Sequence, residues 1–221
     1  MNNKWILTFG MQVESQDQKQ LNDFTIGIDL GVKSLAVISY NKGGSTKKFK
    51  NINKTKKVVK LKKRLKHFQR EVSRKYEKHG NYEKTKRILE TEKKIDDIYR
   101  KLANIRLNYT HHVTAEIINL LPKAIVMEDL NVTGMMKNKH LSKAIQEQTL
   151  HEFKRQIQYK SEFKGIEFKQ VDKWFPSSKK CSSCGNIKGN LKLKDRTYKC
   201  NECGLEIDRD FNASINLENA G

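Results

Sequence analysis

Four cysteines stand in two Cys-x2-Cys pairs, Cys181–Cys184 and Cys200–Cys203, with 15 residues between the pairs and a glycine after each, Gly185 and Gly204. They are the only cysteines in the chain. A tight turn with thiolates at its first and fourth positions aims two sulfurs at one point. Two such turns complete a tetrahedron, and the spacing is that of a zinc ribbon. One structural zinc ion held by Cys181, Cys184, Cys200 and Cys203 is therefore expected. Thiols clustered in this way in a reducing compartment point to a metal rather than to disulfides. A four-thiolate cage is closed, so this zinc catalyses nothing and any chemistry lies elsewhere.

Charge narrows the partner. Among 221 residues, 45 Lys and Arg face 25 Asp and Glu, a formal net charge of +20. Such a surplus repels itself unless a polyanion screens it, and nucleic acid is the leading candidate. A membrane is not expected, because no stretch approaches the apolar length of a spanning helix. The N-terminus lacks the apolar core of a signal peptide, so a cytoplasmic protein is expected.

Hydrophobic periodicity gives an α/β chain. Phe24, Ile26, Ile28 and Leu30 alternate with Thr25, Gly27, Asp29 and Gly31, a strand pattern that turns at Leu30–Val32 into a second strand ending near Ser39. A third strand is expected at Lys48–Ile52, the three forming an antiparallel sheet edge. Val58, Leu61, Leu65, Phe68, Val72 and Tyr76, then Ile88 through Ile117, recur at helical spacing. They predict two long helices over 55–121, broken at His79–Asn81 and packed as an antiparallel hairpin. Residues 54–101 hold 19 Lys and Arg against 7 Asp and Glu. The cations of the first helix, Lys60, Lys62, Lys63, Arg64, Lys66, Arg70, Arg74 and Lys75, are the candidate phosphate contacts. Ala124–Glu128 reads as a strand buried on both faces. A helix over 141–164 and a strand at Ile166–Val171 complete a crossover unit. Trp5–Val13 has strand character, and Glu14–Asp23 reads as a linker.

Three acids end or open separate elements. Asp29 sits among apolar neighbours, where a carboxylate is costly unless it is paired or binds a metal. Flanking Gly27 and Gly31 leave room for a phosphate or a metal. Glu128 ends the buried strand, and Asp208 or Asp210 opens the last helix. If the first and fourth strands are neighbours, the acids converge. They could then hold two divalent metals about 4 Å apart, which clamp the attacking and leaving oxygens of a phosphodiester displacement. Oxygen ligands suit Mg²⁺ or Mn²⁺. The bland alternative for the last acid is an N-cap.

These motifs carry a resemblance. Gly27-Ile28-Asp29-Leu30-Gly31-Val32-Lys33 and Val126-Met127-Glu128-Asp129-Leu130-Asn131 come first. Ser177-Ser178-Lys179 precedes the first cysteine pair, and Asp208-Arg209-Asp210-Phe211-Asn212-Ala213 follows the second. In this order, over about residues 24–217, the chain resembles the OrfB/TnpB proteins of insertion sequences, relatives of the type V CRISPR nucleases. The resemblance implies an RNase H-like (RuvC-type) mixed sheet over 24–175 and 204–221, interrupted by the helical hairpin at 55–121 and a zinc ribbon at 176–203. It implies Mg²⁺-dependent, RNA-guided DNA cleavage in a prokaryotic cell, with DNA, a guide RNA and a transposase of the same element as partners. By motif position it assigns catalysis to Asp29, Glu128 and Asp210. Resembling proteins also carry an N-terminal oligonucleotide-binding barrel that reads guide and target. Here residues 1–23 read as its last strand and a linker, so a partial form is expected. The alternative is a non-catalytic nucleic-acid-binding or regulatory derivative. The Gly27–Gly31 stretch also resembles the first phosphate loop of actin-like ATPases, but no second Asp-x-Gly phosphate turn follows.

Overall fold

The central strand is made by alternation. β1 (Asn22–Leu30) buries Ile26 and Ile28 completely, and a turn at 31–33 reverses it into β2 (Ser34–Tyr40), with Ile28 opposite Ile38 and Asp29 opposite Val37. β3 (Ser45–Lys50) pairs antiparallel with β2. It begins three residues before the expected Lys48 and stops before Ile52. The reason is Asn51: its carboxamide accepts from the Asn53 N–H at 2.8 Å, donates to the Val32 carbonyl at 2.8 Å, and turns the chain into a short 3-10 segment, Ile52–Lys54. The computed structural model describes residues 7–10, 20–78, 84–130, 132–139, 142–172, 174–191 and 195–221. Of the strand expected at Trp5–Val13, only 7–10 is described, and it is not a strand. The break expected at His79–Asn81 also lies outside the described residues.

α1 (Lys56–Lys78) and α2 (Lys86–Ile118) form the hairpin. Val58, Leu61, Leu65 and Phe68 pack against Ile98, Leu102 and Ile105 along a single apolar seam. The far end is held by polar contacts: Lys75 Nζ lies 2.6 Å from Glu71 and 2.7 Å from the Thr91 hydroxyl, and the Tyr76 hydroxyl donates to Glu92 at 2.7 Å. The last turns of α2 serve a second core, where Val113, Ile117 and Ile118 join Ile26, Ile28, Ile125, Phe153 and Ile157.

β4 (Pro122–Glu128) lies beside β1 and parallel to it, with Ile26 opposite Ile125 and Ile28 opposite Met127. α3 (Val132–Met136), α4 (Ser142–Gln148) and α5 (Leu150–Lys164) cross over to β5 (Glu167–Val171), which is parallel to β4. The sheet order is β3-β2-β1-β4-β5. The single helix expected over 141–164 is two, split at Thr149, whose backbone is left-handed (φ 54°). The break frees the Gln148 amide to donate to the carbonyls of Gly31, Val32 and Ser34 at 3.0–3.3 Å, which pins the turn after Asp29.

The chain then forms a two-stranded ribbon, β6 (Thr197–Lys199) with β7 (Glu206–Asp208), and runs without a linker into α6 (Arg209–Glu218). α6 lies on β1 so closely that a Cβ at Gly27 would stand 2.0 Å from the Ser214 carbonyl oxygen and 2.3 Å from the Glu218 nitrogen. Gly27 thus makes room for a helix, not for a phosphate or a metal. At its far end, the buried Glu218 carboxylate accepts from the Lys42 and Gly43 N–H groups at 2.5 and 3.0 Å and fixes the β2–β3 turn. Gly27→Ala should therefore cost at least about 2 kcal/mol in urea unfolding, because the clash is with backbone. Gly31→Ala, whose new Cβ would meet only the Ser34 carbonyl oxygen at 3.4 Å, should cost less than about 1 kcal/mol.

Candidate active site and metal centre

Pairing of β1 with β4 decides where the acids meet. The parallel register that sets Ile28 opposite Met127 brings Asp29 and Glu128, one residue further along each strand, to the same end of the sheet. α6 crosses over that end with Asp210 in its first turn. Asp29 is partly buried. Burial, then repulsion from Asp210 and Glu128, raises its carboxyl well above the usual carboxylate range, against a smaller opposing effect of Arg209. Burial raises Glu128 as well, partly offset by a side-chain hydrogen bond from Ser177.

Asp208 and Asp210 divide their work. Asp208 caps α6, its Oδ1 accepting from the Asp210 N–H at 2.9 Å and the Phe211 N–H at 3.3 Å. That leaves the Asp210 carboxylate for the acid cluster, with Lys48 Nζ at 3.8 Å and Arg209 at 3.9 Å. Lys48 reaches over from β3 and also stands 3.4 Å from Asp208. Periodicity gave no sign of Lys48, because nothing local distinguishes it from other strand lysines. The three acids are not drawn together as tightly as the thiols described next.

Among the described residues, the four cysteines are the one group of metal-ligating side chains whose ligand atoms all lie within 4.8 Å of one another. Cys181 Sγ is 3.6 Å from Cys203 Sγ, and Cys184 Sγ is 3.5 Å from Cys200 Sγ. A disulfide needs about 2.05 Å. A tetrahedron with metal–sulfur bonds of about 2.3 Å has edges of about 3.8 Å, so the cage could hold a zinc ion. Each knuckle closes through backbone bonds, Gly185 N–H to the Cys181 carbonyl (3.0 Å) and Cys200 N–H to the Leu205 carbonyl (2.8 Å). The N–H groups of Cys203 and Glu202 favour the Cys200 thiolate and pull that thiol down to about 6. Tyr198, buried between the knuckles, makes the small core with Cys181, Cys200, Leu191, Leu205 and Ile207.

The cations of α1 fall into groups. Lys63, Lys66, Arg70 and Arg74 line one exposed flank of the hairpin, and Lys60 and Arg64 line another with Lys57 and Lys101. Lys62 is committed internally to Glu147 at 2.5 Å, as Lys75 is to Glu71. Arg106 completes the first pair's network, 3.4 Å from Glu147. No helix among the described residues is long and apolar enough to cross a membrane.

With this geometry in place, comparison with known proteins defines the class. Residues 8–139, more than half of the chain, match the family model described as a probable transposase, OrfB_IS605, and residues 151–217 match the Cas12f1-like TNB domain. The chain belongs to the OrfB_IS605 family. It is 32% identical over 196 residues to a Streptomyces pristinaespiralis protein named provisionally as an RNA-guided DNA endonuclease, covering 89% of this chain and 45% of that one. It is 28% identical over 233 residues to InsQ of Escherichia coli K12, provisionally named in the same way (99% and 54% covered). It is 27% identical over 228 residues to the CRISPR-associated endodeoxyribonuclease Cas12f1 of Sulfoacidibacillus thermotolerans (97% and 50%). The chain thus spans about half the length of the curated relatives it matches. Its fold is similar to a solved CRISPR–Cas12f ternary complex (TM-score 0.68, 22% identity, 95% of this chain and 41% of that one). It is also similar to a Cas12f1–sgRNA–target DNA complex (TM-score 0.62, 20% identity, 91% and 51%).

The raised carboxyl of Asp29 makes a stability prediction. Because its folded pKa lies above the unfolded value, its favourable contribution exists at low pH and is lost as pH rises through the folded pKa. At pH 7, without added divalent cations, Asp29→Asn should raise the melting temperature by at least about 2 °C. The gain should fade on acidification towards about pH 4, where the wild-type carboxyl is also neutral.

Proposed function

We propose that this chain is the nuclease part of a transposon-associated DNA endonuclease of TnpB type. Its core would be RNase H-like (RuvC-type), and Asp29, Glu128 and Asp210 would hold the catalytic Mg²⁺ or Mn²⁺ ions. One observation carries the reading: two neighbouring parallel strands and the first turn of α6 bring three carboxylates to one end of the sheet, and their closeness burdens Asp29 with charge. The donor set fits hard divalent cations. It is all oxygen, and burial and mutual repulsion favour whatever neutralises it. When bound, such cations supply Lewis acidity at the leaving oxygen and an activated water.

The chain's own residues prepare the site. Asp208 fixes the helix end, so that the side chain of Asp210 is committed to the cluster. Lys48, 3.8 Å from Asp210, balances part of the negative charge until substrate arrives. The exposed cations of α1 would hold phosphates without reading bases. The endonuclease names of the relatives, and the sgRNA and target DNA named in one of the similar complexes, support DNA and a guide RNA as partners. The four-thiolate cage is read as a structural zinc site.

In an assay with Mn²⁺ or Mg²⁺, DNA, and RNA transcribed from the native locus, Asp29→Ala, Glu128→Ala and Asp210→Ala should each abolish cleavage and leave binding largely intact. Asp208→Ala should still cut, at a stability cost of about 1 kcal/mol. Binding without divalent-dependent cleavage under any of these conditions would instead favour the non-catalytic derivative. Elemental analysis should give about one zinc per chain, and Cys200→Ser should lower it and loosen the ribbon. Replacing Lys63, Lys66, Arg70 and Arg74 together with Ala should flatten the salt dependence of duplex binding, by up to about 0.9 in slope for each phosphate no longer neutralised. Lys62→Ala should leave that slope unchanged, because Lys62 is already paired.

A further inference from the structure

One short segment, Ser177–Ser182, joins the thiolate cage to the helix that carries Asp210. At its start, the backbone of the buried Ser177 faces α6. At its end, Cys181 belongs to the thiolate cage. Between these, two buried asparagines of α6, one helical turn apart, clasp it. The Asn212 Nδ2 donates to the Lys180 carbonyl at 2.7 Å, and its Oδ1 accepts from the Ser182 N–H at 3.0 Å. The Asn216 Nδ2 lies 2.7 Å from the carbonyls of both Ser177 and Lys180. Asn212 is fully buried and Asn216 nearly so, so these are strong, water-protected bonds between the ribbon and the helix that carries Asp210. The ribbon also joins α6 covalently at Asp208, and the Arg209 N–H bonds to the Arg196 carbonyl at 2.8 Å.

We propose that Asn212 and Asn216 are positioning residues that couple the thiolate cage to the carboxylate site, so that the folded ribbon sets the distance of Asp210 from Asp29. The inference rests on the reading of the three acids as a divalent-cation site. The ribbon then does more than stand beside the nuclease core. Through Lys180 and Ser182 it holds the first turns of α6, so Asp210 takes its place from that strut. Partners of this kind, which orient ligands without touching the metal, typically govern metal affinity by about 10- to 100-fold.

The test is Mn²⁺ binding by the zinc-loaded 221-residue chain, followed by titration calorimetry beside zinc content and melting temperature. Asn212→Ala and Asn216→Ala should each retain one zinc and bind Mn²⁺ at least about 10-fold more weakly. Glu218→Gln is the control: it loosens the opposite end of α6 at the β2–β3 turn, so it should lower the melting temperature and leave Mn²⁺ affinity unchanged. Should Asn212→Ala not fold, Asn216→Ala decides alone, since it leaves the Ser182 N–H its acceptor. Unchanged Mn²⁺ affinity in the asparagine variants overturns this inference and leaves the acid-site reading standing. So does an equal loss in Glu218→Gln, which would make the effect one of general helix stability. Absence of Mn²⁺ binding by the wild-type chain overturns both.

Discussion

Everything at the candidate site depends on a missing methyl group. α6 rests its backbone directly on Gly27, at a distance no side chain would permit. That close approach brings the start of α6 over the end of β1, where Asp29 lies. β1 is itself the hinge of the sheet, antiparallel to β2 on one side and parallel to β4 on the other. One strand therefore positions the neighbour that carries Glu128 and the helix that carries Asp210. The electrostatic cost of gathering three carboxylates is met by packing elsewhere: the apolar core under the sheet, the Glu218 clasp on the β2–β3 turn, and the Asp208 cap.

Strong local signals were legible in the sequence. The cysteine spacing gave the cage, and the alternation around Asp29 and the apolar run before Glu128 gave the two strands that meet. The hairpin seam followed from helical periodicity. What could not be read was long-range or depended on one side chain's choice of partner. The split at Thr149 arises because Gln148 serves a turn more than a hundred residues away. The early end of β3 reflects Asn51 bonding to Val32. Lys62 and Arg64 look alike as neighbouring cations of one helix, yet Lys62 is bound to Glu147 and Arg64 is exposed.

The third acid shows how residue pattern and geometry differ in what they decide. Residue pattern alone left Asp208 and Asp210 open, since either can begin a helix, and family resemblance favoured Asp210. The structure supplies the physical reason for a division of labour: a carboxylate that accepts two backbone N–H groups at a helix start is occupied, and its neighbour two residues later is not so used. Asn212 and Asn216 were visible in the sequence as a pair four residues apart, but nothing local said that their amides would face another segment instead of solvent.

α2 has 33 residues, a rod of about 50 Å. Its first half belongs to the basic hairpin, and its last turns are embedded beside the sheet that holds the acids. A continuous helix is stiff along its axis. It therefore ties the basic hairpin to the sheet at a set distance, so the two cannot slide along that axis independently.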